Sequence, residues 1–96
     1  MPEDDAEAVR WYRLAADQGY ANAQYNLGCC YLMGGGVAKD KEEAVKWLCL
    51  AADQGHDVAQ NDLGDCYSHG EGVPEDMHEG AKWYRLAADQ GYANAQ

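Results

Sequence analysis

The sequence predicts an all-α fold, an α/α solenoid of antiparallel helix pairs with about five helices, and three observations carry that expectation. A unit of 36 residues recurs along the 96-residue chain. Each unit holds two runs of helical apolar periodicity. Glycines and cap-like residues punctuate both runs at fixed places.

The register is strict. Trp11, Trp47 and Trp83 are spaced by 36, as are Gly19, Gly55 and Gly91. The pairs Leu27 and Leu63, Gly28 and Gly64, Cys30 and Cys66, Tyr31 and Tyr67, Gly36 and Gly72, Val37 and Val73, and Asp40 and Asp76 keep the same interval. The run from Trp11 to Gln24 returns letter for letter from Trp83 to Gln96.

The first helical pattern in each unit places Ala8, Trp11, Tyr12, Ala15 and Ala16 at i, i+3, i+4, i+7 and i+8. Ala44, Trp47, Leu48, Ala51, Ala52 and then Gly80, Trp83, Tyr84, Ala87, Ala88 repeat it. The second pattern places Ala23, Leu27, Cys30, Tyr31 and Ala59, Leu63, Cys66, Tyr67 on one stripe. Asp4 with Glu7, Asp40 with Glu43 and Asp76 with Glu79 read D-x-x-E, a capping-box-like start. Gly19, Gly55 and Gly91 follow the Ala-Ala turns, where a left-handed residue ends a helix. Gly34-Gly35-Gly36 and Gly70-Glu71-Gly72 end the other helix, and Pro74 forbids its continuation. Helices are therefore expected near 5–18, 21–33, 41–54, 57–69 and 77–90. Gly28 and Gly64 sit inside helices, where glycine costs about 1 kcal/mol relative to alanine. Close backbone approach of a neighbouring helix is the expected reason, with Gly80 a weaker version of it.

Composition alone points the other way. The chain has no Phe and no Ile, and its formal charge is −10, which together resemble a disordered segment. Alanine in register and Trp and Tyr at fixed intervals argue instead for closely packed helices. The acidity, with pI near 4.4, excludes nonspecific nucleic-acid binding and disfavours an anionic membrane surface, while it favours basic partners. No run approaches the roughly 18 apolar residues that span a bilayer. Met1-Pro2-Glu3-Asp4-Asp5 is acidic where a signal peptide is basic and then apolar. A cytoplasmic protein is expected.

The motifs L-G-x-x-Y (27–31 and 63–67), G-x-G-V (34–37 and 70–73), a following Asp, and A-x-x-W-Y/L-x-x-A-A-D-Q-G together resemble the Sel-one-like (Sel1-like) repeat family. This is a relative of the tetratricopeptide repeat with longer units. The resemblance covers essentially the whole chain. It implies a solenoid whose L-G-x-x-Y helices line a concave face and whose Ala-Ala helices form the back. It also implies an adaptor or scaffold role, by analogy rather than from fold. The chain is expected to be a single solenoid domain over 1–96, with a helix at 5–18, repeats at 21–56 and 57–92, and an incomplete next helix at 93–96. Its phase starts inside an inter-repeat loop and stops as a helix begins. A slice of a longer array, or self-association through open end helices into a homo-oligomer, is expected, with stability low in the usual range of about 5–15 kcal/mol.

Transfer of the tetratricopeptide groove onto the L-G-x-x-Y helices implies a partner-binding surface of Asn22, Tyr25, Asn26, Cys29 and Leu32, followed by Val58, Asn61, Asp62, Asp65 and Ser68. Asn amides would grip a peptide backbone, Tyr25 would anchor an apolar group, and Asp62 and Asp65 would prefer Lys or Arg. The plainer alternative is that these are the solvated sides of amphipathic helices.

Chemistry is thinly represented. Cys29, Cys30, Cys49 and Cys66 contain no C-x-x-C pair. Cys30 and Cys66 share the stripe and read as small core residues, and free thiols in a reducing compartment are expected. Cysteine-rich secreted relatives pair cysteines at positions that correspond here to Ala16 and Ala23. His56, in the slot of Tyr20 and Tyr92, reads as an exposed ring at a turn. His69 at i+3 from Cys66 lacks a second ligand pair, and His78 stands alone. No nucleophile–base pair, phosphate loop or spaced carboxylate pair recurs. The expectation is a protein- or peptide-binding module, with no catalytic residues, metal or cofactor. Second comes a structural segment of a longer array, and a hydrolase-like relative is remote.

Overall fold

A computed structural model of the chain describes residues 5–91, which fold into five helices of 13 residues each. They are α1 (Asp5–Asp17), α2 (Ala21–Met33), α3 (Lys41–Asp53), α4 (Asp57–His69) and α5 (Met77–Asp89). No strand occurs among the described residues. Each helix packs on its neighbours in the chain, as a solenoid requires, within extents of 37 × 24 × 22 Å. The expected helix at 93–96, and with it Tyr92, lies outside the described residues, as does the cap at Asp4.

Two core clusters alternate along the array. The first gathers Val9, Ala16, Ala23 and Leu27, with Trp47 of the following unit packed against them. The second gathers Val45, Leu48, Ala51, Ala52, Ala59, Leu63 and Cys66, with Trp83 packed against them. Each unit therefore completes its core with the tryptophan of the next. Leu27, Leu48 and Leu63 are fully buried, which stabilises the fold by roughly 2 kcal/mol each.

This arrangement corrects one expectation. Trp11 was placed on a buried stripe by its spacing, yet it is 63% exposed. Its role in the repeat is to cover the cluster of a preceding unit, and no such unit lies among the described residues. Val9, outside the predicted stripe, is buried instead.

Caps explain where the helices start and stop. The Asp40 carboxylate accepts from the Glu43 amide and Asp76 from the Glu79 amide, both at 3.1 Å. The reciprocal half of a capping box is absent. The amides of Asp40 and Asp76 donate to the carbonyls of Tyr31 and Tyr67, which ties each long loop back to its helix. Glu43 and Glu79 are released to pair with Lys46 and Lys82. Gly34 and Gly70 close α2 and α4 in the left-handed conformation.

The helical glycines have the expected cause. A Cβ on Gly28 would stand 3.1 Å from Leu48 Cγ and 3.2 Å from the Ala44 carbonyl of α3. One on Gly64 would stand 2.5 Å from the Tyr84 ring of α5. Gly80, expected as the weaker contact, is tighter than Gly28: a Cβ there would collide with Ser68 and crowd the Gly64 backbone. Helix pairs α2/α3 and α4/α5 meet at these points.

Candidate functional site

The L-G-x-x-Y helices α2 and α4 place their non-repeated side chains beside one another, and the junction between them is built around His56. This ring caps α4: Nδ1 accepts from the Ala59 amide at 3.1 Å. An accepting Nδ1 leaves the proton on Nε2, which donates to Asn22 Oδ1 at 2.8 Å. The ring also stacks on Tyr25, with centroids 4.8 Å apart and planes 18° from parallel. The exposed turn residue expected from the sequence is instead the joint between two units. Its spacing equivalence to Tyr20 concealed this, because no preceding unit lies among the described residues and Tyr20 is exposed there.

Tyr25 lies beside Asp62 and Cys29. Burial raises the proton affinity of its phenol, and these two contacts raise it further. Burial also pushes the Cys29 thiol upward, against the opposing hydrogen bond from Tyr25. The Asp62 carboxyl is pushed above the ordinary carboxylate range by burial, opposed by hydrogen bonds from Tyr25 and Asn61. Asp65 accepts from the Tyr84 hydroxyl of α5.

The predicted residues therefore separate into groups. Asn22, Tyr25, Cys29 and Asp62 come together at the α2/α4 junction. Asn26 and Cys29 also line a recess of about 320 Å³ with Ala8, Tyr12, Cys30, Met33 and Gly35. Asp65 and Ser68 turn toward Tyr84. Leu32 is half-buried and packs, as Tyr25 does, against the second core cluster. Val58 is half-buried, and Asn61 is 9% exposed with its Oδ1 lacking a hydrogen-bond partner.

Two buried glutamines that tie successive helices together escaped the sequence reading. Gln24 and Gln60 are buried, and their amides donate to the carbonyls of Ala16 and Ala52. Their own oxygens accept from Gln54 and Gln90 at 2.9 and 2.8 Å. Gln54 donates as well to the Gly19 carbonyl at 2.8 Å. The signal was present, since these glutamines recur at the repeat interval.

Cys29, Cys30, Cys49 and Cys66 form no disulfide, and only Cys66 is buried. Burial raises the Cys66 thiol to about 12 and the Cys49 thiol less far. Among the described residues no group of three or more His, Cys, Asp or Glu is arranged to hold a metal, and no helix is long and apolar enough to cross a membrane.

Stacked helix pairs, each core closed by the next unit, and a side-chain face shared by equivalent helices define a solenoid repeat protein. A family model described as the Sel1 repeat matches residues 1–20, 21–56 and 57–92. The chain belongs to the Sel1 repeat family, whose members are generally non-catalytic protein-interaction scaffolds. Among solved structures it is similar to c5321, a protective antigen of uropathogenic Escherichia coli strains with an SLR fold, at TM-score 0.96 and 47% identity over 99% of this chain and 20% of that one. It is similar also to a Sel1 repeat protein from Oxalobacter formigenes, at TM-score 0.94 and 40% identity over 99% of this chain and 39% of that one. This chain thus spans well under half of either protein. Helicobacter pylori cysteine rich protein B shares the fold at TM-score 0.89 and 22% identity, over 93% of this chain and 67% of that one. No curated protein matches.

Proposed function

We propose that this chain is a non-catalytic peptide- or protein-binding segment that uses the joint face of α2 and α4. The observation that carries this reading is a partition of the repeat. Slots that match between α2 and α4, such as Leu27/Leu63, Gly28/Gly64 and Gln24/Gln60, form core and helix contacts. Slots that differ, such as Asn26/Asp62 and Cys29/Asp65, lie outside the buried core, and Asn26 and Cys29 line a recess. The partner is a protein or peptide, with basic chemistry favoured by the charge of −10 and not nucleic acid or membrane. Four cysteines without a disulfide, one of them buried, suit a reducing cytoplasm.

Selection of a random peptide library on the immobilised protein tests this. Enriched peptides should lose about tenfold or more in affinity for Asn61→Ala/Asp65→Ala and retain it for Leu50→Glu on α3. Peptides that bind both variants alike would remove this face from consideration.

A second reading has its own observation. Trp11, Leu14 and Tyr20 are exposed to 63%, 57% and 61%, and a recess of about 360 Å³ lies beside Trp11. Under it, the α1 end stacks against another unit. Light scattering should then show mass rising with concentration, and Trp11→Asp should abolish the rise. A wild-type monomer at all concentrations would end this reading.

A further inference from the structure

The face on α4 differs from that on α2 chiefly in charge. Asn26 and Cys29 of the first unit are replaced by Asp62 and Asp65 in the second. Asp62 lies beside Tyr25 and Asn61 and feels the charges of Asp65 and His56, while Asp65 accepts a hydrogen bond from the Tyr84 hydroxyl. The ion pairs among the described residues join Arg10 to Glu7, Lys41 to Glu71, Lys46 to Glu43 and Lys82 to Glu79, so no cation is paired with either acid. Arg13, a further candidate cation, is engaged with the Tyr31 hydroxyl at 2.6 Å.

Asn61 supplies an independent sign of a missing donor. It is about nine-tenths buried, and it neighbours Asp62, whose proton affinity it lowers. Asn61 and Asp65 lie one helical turn apart on the same side of α4. The Asn61 Oδ1 has no partner. Buried acceptors without donors are rare in folded proteins, and they mark places where a ligand group completes the set. Here one amide oxygen without a partner and two carboxylates share about one turn of α4.

We infer that this face takes an extended peptide segment bearing an arginine, its guanidinium held by Asp62 and Asp65, with an apolar side chain on the same edge of the peptide seated in the recess beside Cys29 and Met33. The inference rests on the peptide-binding reading above and gives it a ligand chemistry. A guanidinium carries five donors in a planar fork, enough for two carboxylates together with the Asn61 oxygen. It is more weakly hydrated than an ammonium and stacks on aromatic rings, and tyrosines 25 and 84 flank the two acids. A half-buried carboxylate whose proton affinity is raised by burial gains most from such a cation. The apolar site is contiguous, because Cys29 lines the recess and also feels the charge of Asp62. Met33, 82% exposed at the rim, offers an adaptable apolar contact. Side chains about two or four positions apart project from the same edge of an extended peptide.

Fluorescence anisotropy with defined probes tests the assignment. Labelled glycine-spaced peptides carry one arginine and one leucine at either spacing, and matched probes replace arginine with citrulline, which has the same shape and no charge, or with lysine. The better-spaced arginine peptide should bind about tenfold or more tightly than its citrulline match, with lysine between. That preference should vanish in Asp62→Asn and in Asp65→Asn, each checked for folding by its thermal melt. Met33→Glu should remove the contribution of the leucine. Equal binding of arginine and citrulline probes, an arginine preference that survives both substitutions, or no binding by any arginine probe overturns the inference. In those cases library-selected peptides that still depend on Asn61 and Asp65 keep the broader face alive, and peptides indifferent to them remove both.

Discussion

Helices α2 and α4 are built on one plan and have diverged on one side. Both have 13 residues, both end at a left-handed glycine, and both bury a leucine, a glutamine and a glycine in matched slots. Away from those slots the first carries Tyr25, Asn26 and Cys29, and the second Asn61, Asp62 and Asp65. The shared half is explained by packing: it meets α3 or α5 too closely to vary. The divergent half meets the junction, the recess and solvent, where a change alters what the surface offers and leaves the stack intact.

The comparison breaks most severely if the matched slots are unequal. Leu27→Ala and Leu63→Ala should each cost about 2–5 kcal/mol in urea unfolding, because both leucines are fully buried. A negligible cost at either would show that repetition alone does not identify the core. The glycines sharpen the test. Gly64→Ala drives a methyl into the Tyr84 ring and should destabilise by about 1–3 kcal/mol, despite the gain in helix propensity. Gly28→Ala meets only a tight contact with Leu48 and the Ala44 carbonyl, and should cost less.

Asp62→Asn should act in the opposite direction. Its folded-state proton affinity lies above the ordinary value near 3.8, so the folded form binds the proton more tightly than the unfolded chain. Asp62 therefore favours folding most at low pH, and that contribution fades as pH rises through its elevated range. The Asn variant should melt slightly higher than wild type at neutral pH, with the advantage shrinking toward pH 4. A variant less stable at pH 7 would show that Asp62 is a structural partner of Tyr25 and not a strained surface acid.

The smallest effect separates the matched cysteines without altering stability. Cys66, buried with its thiol raised to about 12, should react with iodoacetamide at pH 8 only on unfolding. Cys30, in the same slot but half-buried at the recess, should label faster, as mass spectrometry of the folded protein will show.

Much of this architecture was legible before any coordinates. The repeat interval and two helical periodicities located five helices to within about a residue. Periodicity reports only that a side chain faces a neighbour, not that the neighbour is present. Trp11, Trp47 and Trp83 are equivalent by spacing, yet Trp11 is exposed because nothing described precedes it. The site was read less well for the same reason. Leu32 lies half-buried against a core cluster, and His56, an exposed turn ring by its spacing, joins α2 and α4 through Asn22 and Tyr25. Contacts between units depend on rotation of one pair against the next, which no local pattern encodes. Charge was more transparent: the acids that distinguish α4 from α2 are visible as departures from the repeat.

The glutamine rungs bear on how such a chain grows. With a unit counted as a Trp helix and the L-G-x-x-Y helix after it, each rung takes its donor from the turn after one helix and its acceptor from the helix of the unit before, as Gln54 does with Gln24 and Gln90 with Gln60. A unit thus carries a plug at one end and a socket at the other. Tandem duplication inserts a copy whose polar connections already fit on both sides, so gene length can change without new contacts being invented. The verbatim return of residues 11–24 at 83–96 is what such copying leaves behind.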